Sequence, residues 1–265
     1  MNKKFNKIFV IGYNKTATCS LDALLSENGL NSYHSGGLFE GDWGISKYDA
    51  FSDQHPDGTD FFRFRKCHQN YPNSLFILNT RKLKDWILSR CGHAIFHNSN
   101  MIEKDGFLKC QESWGYPNTK EIYEDNKYNF ESFAKKSDLI LNHYYNFIFK
   151  KIKFWTQERE SYYASILHYF KYYSEDLILI NIHKEWKSFL GNIIFEDYKI
   201  SDDRMKTSTR KYSIDQKKFY DAHEEVYKQA TKDVFDLYPK FTGDSILLHN
   251  NKMNKDFLNV YKNNF

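Results

Sequence analysis

"IFVIGYNKTATCSLDALLSENG", residues Ile8 to Gly29, decides the fold. Its first part, with Lys7 the run "KIFVIG", is apolar, ends at a glycine and reads as a buried parallel strand. From Thr18 onward Leu21, Leu24 and Leu25 recur at helical spacing, and Gly29 stands where a helix would stop. Between strand and helix lies a polar turn that carries Lys15, Thr16, Thr18, Cys19 and Ser20. Such a turn presents backbone N–H groups and the positive end of the helix dipole. Lys15 adds a mobile cation and Thr18 a hydroxyl donor, so the turn suits an anion. An ordinary polar strand-to-helix turn would satisfy the same local pattern. Asn14 precedes Lys15, so the Gly-Lys pair of ATP-binding loops is missing.

The same alternation continues outward. "LNSYHS" reads as a second short strand, and residues 39–60, rich in Gly, Asp and Ser, as a loop with little regular structure. A helix is expected from Phe62 to Tyr71, stopped near Pro72. "SLFILNT" at 74–80 is the next buried strand, followed by a helix from about Lys84 to Ala94. Residues 97–130 are polar and irregular, and read as an insertion or a lid over an acceptor. Two helical stretches follow, 131–152 and 157–173, dense in Tyr, Phe and His. "DLILINI" at 176–182 is a third buried strand, and "KEWKSFLG" a short helix ending at Gly191. The polar loop "SDDRMKTSTRKYS" leads into a long helix near 215–237, and the Asn/Lys-rich tail is expected to fray. Strands alternating with helices predict an α/β fold: one domain over 1–250, a central parallel sheet flanked by helices, and a polar tail at 251–265.

Composition narrows the field without choosing a function. Hydrophobic residues make up 41% and aromatics 18%, which places the chain among folded globular proteins. A net charge of +4 gives no electrostatic case for a nucleic-acid partner. Cys19, Cys67, Cys91 and Cys110 show no metal-ligand spacing, so no metal is expected and reduced thiols are. No apolar stretch approaches the roughly 20 residues that span a bilayer, so a soluble, cytoplasmic protein is expected.

A second cluster lies in "YPNSLFILNTRKLKDWILSR". Arg81 stands just past the end of a buried strand, where open α/β sheets bind ligands. Ser89 follows on the next helix, about two turns later at about 3.6 residues per turn, so the two can face the same way. A guanidinium fork and a hydroxyl there suit a second phosphate. Alone, Arg81 would equally serve as an ion-pair partner of Asp85.

Taken together, "NKTATCS", "FILNTRKLKDWILS" and "LILINIHKEWKSFLG", in that order, resemble the sulfotransferases that use 3′-phosphoadenosine 5′-phosphosulfate (PAPS). The resemblance runs from Lys7 to about Ser213, with residues 97–130 unmatched. It implies that the loop Asn14, Lys15, Thr16, Ala17, Thr18, Cys19 and Ser20 holds the phosphosulfate, and that Arg81 and Ser89 bind the 3′-phosphate. It also implies a late-loop contact from Thr207, Ser208, Thr209 or Arg210. Lys15 would then act in catalysis, and 3′,5′-adenosine bisphosphate would be the product, with a small-molecule or glycan acceptor. Three positions of the loop depart from the family pattern: Asn14 for proline, Ala17 for glycine, and Cys19 for a hydroxyl residue.

The acceptor's proton needs a base. Asp60, in "DGTDFFRF", stands where the family places one, although Phe62 replaces the proline that often follows; a helix N-cap is the other role open to it. His68 and His34 are the remaining candidates. Two other classes stay open: an ATP-dependent small-molecule kinase, which would need a magnesium-holding Asp at a strand end, and a non-catalytic nucleotide-binding module.

Overall fold

The computed structural model describes residues 4–34, 45–53, 63–105, 137–182, 185–200, 214–239 and 254. These divide into two compact units: Met1–Lys82, Arg159–Thr209 and Gly243–Phe265 form the first, Leu83–Glu158 and Arg210–Thr242 the second.

The first unit is built on five short parallel strands: β1 (Ile8–Val10), β2 (Ser32–His34), β3 (Ala50–Ser52), β4 (Leu75–Thr80) and β5 (Leu177–Asn181). They lie side by side in the order β2-β3-β1-β4-β5. The apolar runs predicted as buried strands are β1, β4 and β5, and the fold is α/β around an all-parallel sheet as expected. β3 overturns the reading of 39–60 as irregular, at least over Ala50–Ser52. Only three residues long, it is too brief to show a period, yet its residues are buried because it lies between β2 and β1.

Alternation along β1 assigns its two faces. Ile8 and Val10 join Ala50, Leu75, Ile77, Ile178 and Ile180 in one apolar cluster. Against it pack Leu21, Leu24 and Leu25 of helix α1 (Thr18–Glu27), and Leu190, Ile193 and Ile194 of a later helix, Trp186–Ile194. Phe9 points the other way. The parallel register pairs it with Phe51 on one side and Phe76 on the other, and the three rings stack at 5.4 and 5.1 Å between centroids. Helix α2 (Arg63–Asn70) lies on this face through Phe64, which meets Phe170, which in turn meets Phe76.

The second unit is helical among its described residues. It takes in α3 (Leu83–Asp105), the first part of α4 (Ser137–Phe170) and α6 (Ile214–Leu237); α5 is the Trp186–Ile194 helix of the first unit. Its buried residues include Trp86, Ile87, Cys91, Tyr144, Ile148, Ile152, Tyr227 and Val234.

Other boundaries also shift. α3 runs on to Asp105, so the segment thought irregular begins as helix, and residues 106–136 lie outside the described part. α4 is one continuous helix where two were expected. α5 does not end at Gly191 but continues to Ile194; the glycine there makes room for the Tyr198 ring, which a Cβ would meet at 2.4 Å, and does not act as a helix stop. In the tail, Asn254 is held, not frayed: its side chain accepts from Leu179 N and donates to Leu179 O, satisfying the edge of β5 as a neighbouring strand would. Among the described residues no helix is long and apolar enough to cross a membrane.

Candidate anion-binding site

In a parallel sheet all loops after strands emerge at one edge. Here the chain leaves β1 toward β3 and β2, but leaves β4 toward β5 on the other side. The crevice between β1 and β4 is therefore the point where strand order reverses, the place where open α/β sheets take ligands. Lys15 follows β1 and Arg81 follows β4, so the two residues singled out from the sequence flank this crevice. Arg81 Nη1 lies 3.4 Å from the Lys15 carbonyl oxygen, which brings them together directly.

The turn between β1 and α1 is fixed mainly by a residue not singled out from the sequence. Asn79, wholly buried on β4, accepts from Gly12 N through Oδ1 (2.9 Å). Its Nδ2 reaches both the backbone oxygen (2.7 Å) and the hydroxyl (2.6 Å) of Thr16. Gly12 has no alternative here, since a Cβ would stand 2.2 Å from Asn79 O. Two tyrosines of α4 complete the clamp. Tyr162 donates its hydroxyl to Ile11 O (3.0 Å), while Tyr163 OH accepts from Tyr13 N (3.3 Å) and donates to Asn79 O (3.2 Å). Burial raises both phenols, which keeps them protonated as donors. Arg159, fully buried, donates to Arg81 O (2.7 Å) and lies with its guanidinium carbon 5.0 Å from the Tyr163 ring centre. It places a second cation behind Arg81. The sequence signal for it was faint, because it sits within a helix dense in tyrosine.

Lys15 and Ala17 both hold positive φ, 63° and 65°. Ala17 is the N-cap of α1 and makes no side-chain cap. It stands where the family resemblance expects glycine and keeps the left-handed backbone that glycine would favour, so the loop does not adapt to the alanine. Thr16 is otherwise engaged than the sequence suggested. Its hydroxyl is buried, donates to Tyr13 O and accepts from Asn79, so it shapes the loop and its side chain is not offered to a ligand.

Thr18, Cys19 and His34 form the other flank. His34 ends β2, and its Nε2 is 3.3 Å from Thr18 Oγ1. Thr18 Oγ1 also lies 3.3 Å from an oxygen of Asp53, which directly follows β3 and holds φ 59°. Cys19 is exposed in the first turn of α1. A hydrogen bond from His34 is the main cause that holds its thiol below the ordinary range, and the same bond raises His34. Asp53 was not among the predicted bases, because β3 itself was not recognised; with β3 in place it joins His34 at the strand-exit edge.

His68 is elsewhere. Its Nε2 is 2.8 Å from Asp176, immediately before β5, and its Nδ1 2.9 Å from Tyr169 OH, which sets it at the strand-entry edge. Ser89 belongs to the second unit and Arg81 to the first. Asp60, Thr207, Ser208, Thr209 and Arg210 lie outside the described residues. Asn14 and Ser20 are half-buried in the loop and first turn. Among the described residues no group of three or more His, Cys, Asp or Glu stands together as a metal-binding set. No protein-family model matches the chain, and no curated protein does either.

Proposed function

We propose that the chain is a sulfotransferase that moves the sulfuryl group of PAPS to a hydroxyl or amine of a small-molecule or glycan acceptor. The observation that carries this reading is the meeting of Lys15 and Arg81 at the β1–β4 crevice. The Arg81 guanidinium reaches the backbone of the Lys15 turn there, so two cationic residues, from two strand ends, would flank a ligand with two separate phosphate positions. The positive-φ turn at Lys15 and Ala17, of the kind that directs successive N–H groups at an anion, supports the fit.

When bound, the donor supplies a sulfur centre whose bond to the 5′-phosphate oxygen breaks as the acceptor oxygen or nitrogen bonds to it. Lys15 and the loop N–H groups neutralise charge at the leaving phosphate. Arg81 reads the 3′-phosphate, which ATP lacks. The proton of the acceptor goes to Asp53, a carboxylate at the strand-exit edge beside Thr18; His34 on the same flank is engaged with Cys19 and Thr18. Positioning and charge provide the catalysis, as in phosphoryl transfer.

One observation favours a second reading. A hydroxyl and a carboxylate together, Thr18 and Asp53, are also a pair that a magnesium nucleotide would use, so an ATP-dependent kinase remains the competitor. The test is transfer from sulfur-labelled PAPS to a panel of hydroxyl and amine acceptors, with γ-labelled ATP and magnesium in parallel. Sulfuryl transfer that falls by about 10²–10⁴-fold in Asp53→Asn, with bisphosphate binding retained, is expected. Phosphoryl transfer from ATP in place of sulfuryl transfer overturns the reading. Bisphosphate binding without turnover on any acceptor reassigns the chain as a binding module.

A further inference from the structure

A cavity of about 300 Å³ opens at the opposite edge of the sheet from the anion loop. Ile8 begins β1, Asp49 precedes β3, Gly29 and Leu30 follow α1, and Ile194 closes α5. All of them mark the strand-entry edge of the first unit. The loop of Lys15 leaves the other end of β1, so the cavity is separate from the site described above.

Its walls and rim differ in character. Phe5, Ile8, Leu30, Ile194 and Phe195 line it with hydrocarbon, and Ile8, Ile194 and Phe195 are buried. Asp49, Glu196 and Asp197 bring three carboxylates against one ammonium, that of Lys4, which donates to Ile193 O at 3.3 Å. Asp49 is oriented by the Asn31 N–H, which donates to its Oδ2 at 3.0 Å. Glu196 and Asp197 are exposed. The lining is thus negative in a chain whose formal net charge is +4. An apolar pocket with a few charged groups at one side is the form of a small-molecule site, and its size is at the lower end, roughly 300–1,000 Å³, of such pockets.

We propose that this cavity binds a small apolar amine: one ring or short hydrocarbon chain against Phe5, Leu30 and Phe195, with an ammonium at Glu196 and Asp197. Charge complementarity chooses the occupant, because a neutral compound would use only the walls and an anion would meet three carboxylates.

Calorimetry on the full chain with 2-phenylethylamine, 2-phenylethanol and phenylacetate tests this, with 3′,5′-adenosine bisphosphate present and absent. The amine is expected to bind at least about tenfold tighter than the alcohol, phenylacetate not at all, and the preference to shrink with added salt. The bisphosphate leaves all three unchanged. The double substitution Glu196→Lys, Asp197→Lys alters only exposed positions, so folding is retained, and it is expected to reverse the order in favour of phenylacetate. No amine binding, equal binding of the three compounds, or an order untouched by the charge reversal would each overturn the proposal. None of these results depends on whether the chain is a sulfotransferase.

Discussion

Ala17 carries a left-handed backbone, φ 65°, which an L-residue adopts at a cost of roughly 1–2 kcal/mol. Glycine removes that cost but loses about 0.5–1 kcal/mol through greater freedom of the unfolded chain. The Ala17 methyl also packs against the apolar cluster of the sheet, and removing it costs up to about 0.8 kcal/mol of burial. These contributions nearly cancel, so Ala17→Gly is expected to change stability by less than about 1 kcal/mol in thermal or denaturant unfolding. A larger loss would show that packing of the methyl outweighs the backbone strain. Nearby, the His34 hydrogen bond lowers the Cys19 thiol and the Cys19 bond raises His34. A lowered thiol keeps its thiolate to lower pH. Alkylation of Cys19 by iodoacetamide, followed against pH by mass spectrometry, should thus titrate below an ordinary cysteine, and His34→Ala should move the midpoint up. An unmoved midpoint would contradict the pairing. Lys15, Thr18 and Cys19 were legible in the sequence as candidates for an anion site because of their types and their place around the start of a helix. The link from Cys19 to His34 was not, since it is made by strand pairing and not by neighbourhood in the sequence.

At the scale of elements, the loop after β1 depends on β4 through one side chain. Asn79→Ala removes the acceptor of Gly12 N–H and both donors to Thr16, all in a buried setting. Each buried polar group left without a partner costs about 1–3 kcal/mol, so a loss of about 3 kcal/mol is expected in urea unfolding. A loss under about 1 kcal/mol would mean that the turn holds its shape without β4. β1, β4 and β5 were readable because strands covered on both faces become nearly continuous apolar runs. β3 was not: "AFS" is too short to show a period, and the Gly, Asp and Ser around it masked it. Missing β3 also hid Asp53, whose place at the strand-exit edge exists only once β3 is paired with β1. The split assigned within α4 failed for a related reason, since an aromatic-rich helix with charged residues between its rings shows no single apolar stripe.

For the whole molecule, the alternation of strands and helices was sufficient to give an α/β fold with a parallel sheet. Strand order was not in the sequence pattern, and it is strand order that makes the β1–β4 crevice the reversal point. The division into two units, whose segments interleave along the chain with one crossing between Lys82 and Leu83 and another inside α4 between Glu158 and Arg159, was equally invisible, because no glycine- or proline-rich linker marks either crossing. The central claim is that this crevice distinguishes a nucleotide by its 3′-phosphate through Arg81. Calorimetric titration of 3′,5′-adenosine bisphosphate and adenosine 5′-monophosphate into the wild type and Arg81→Ala measures that directly. The bisphosphate should bind more tightly to the wild type. Loss of a charge-assisted hydrogen bond worth about 1.5–3 kcal/mol should then weaken it by about 10–150-fold in the variant, with the monophosphate changed by no more than about twofold. Equal affinities for the two nucleotides, or equal weakening of both by the substitution, would contradict the account.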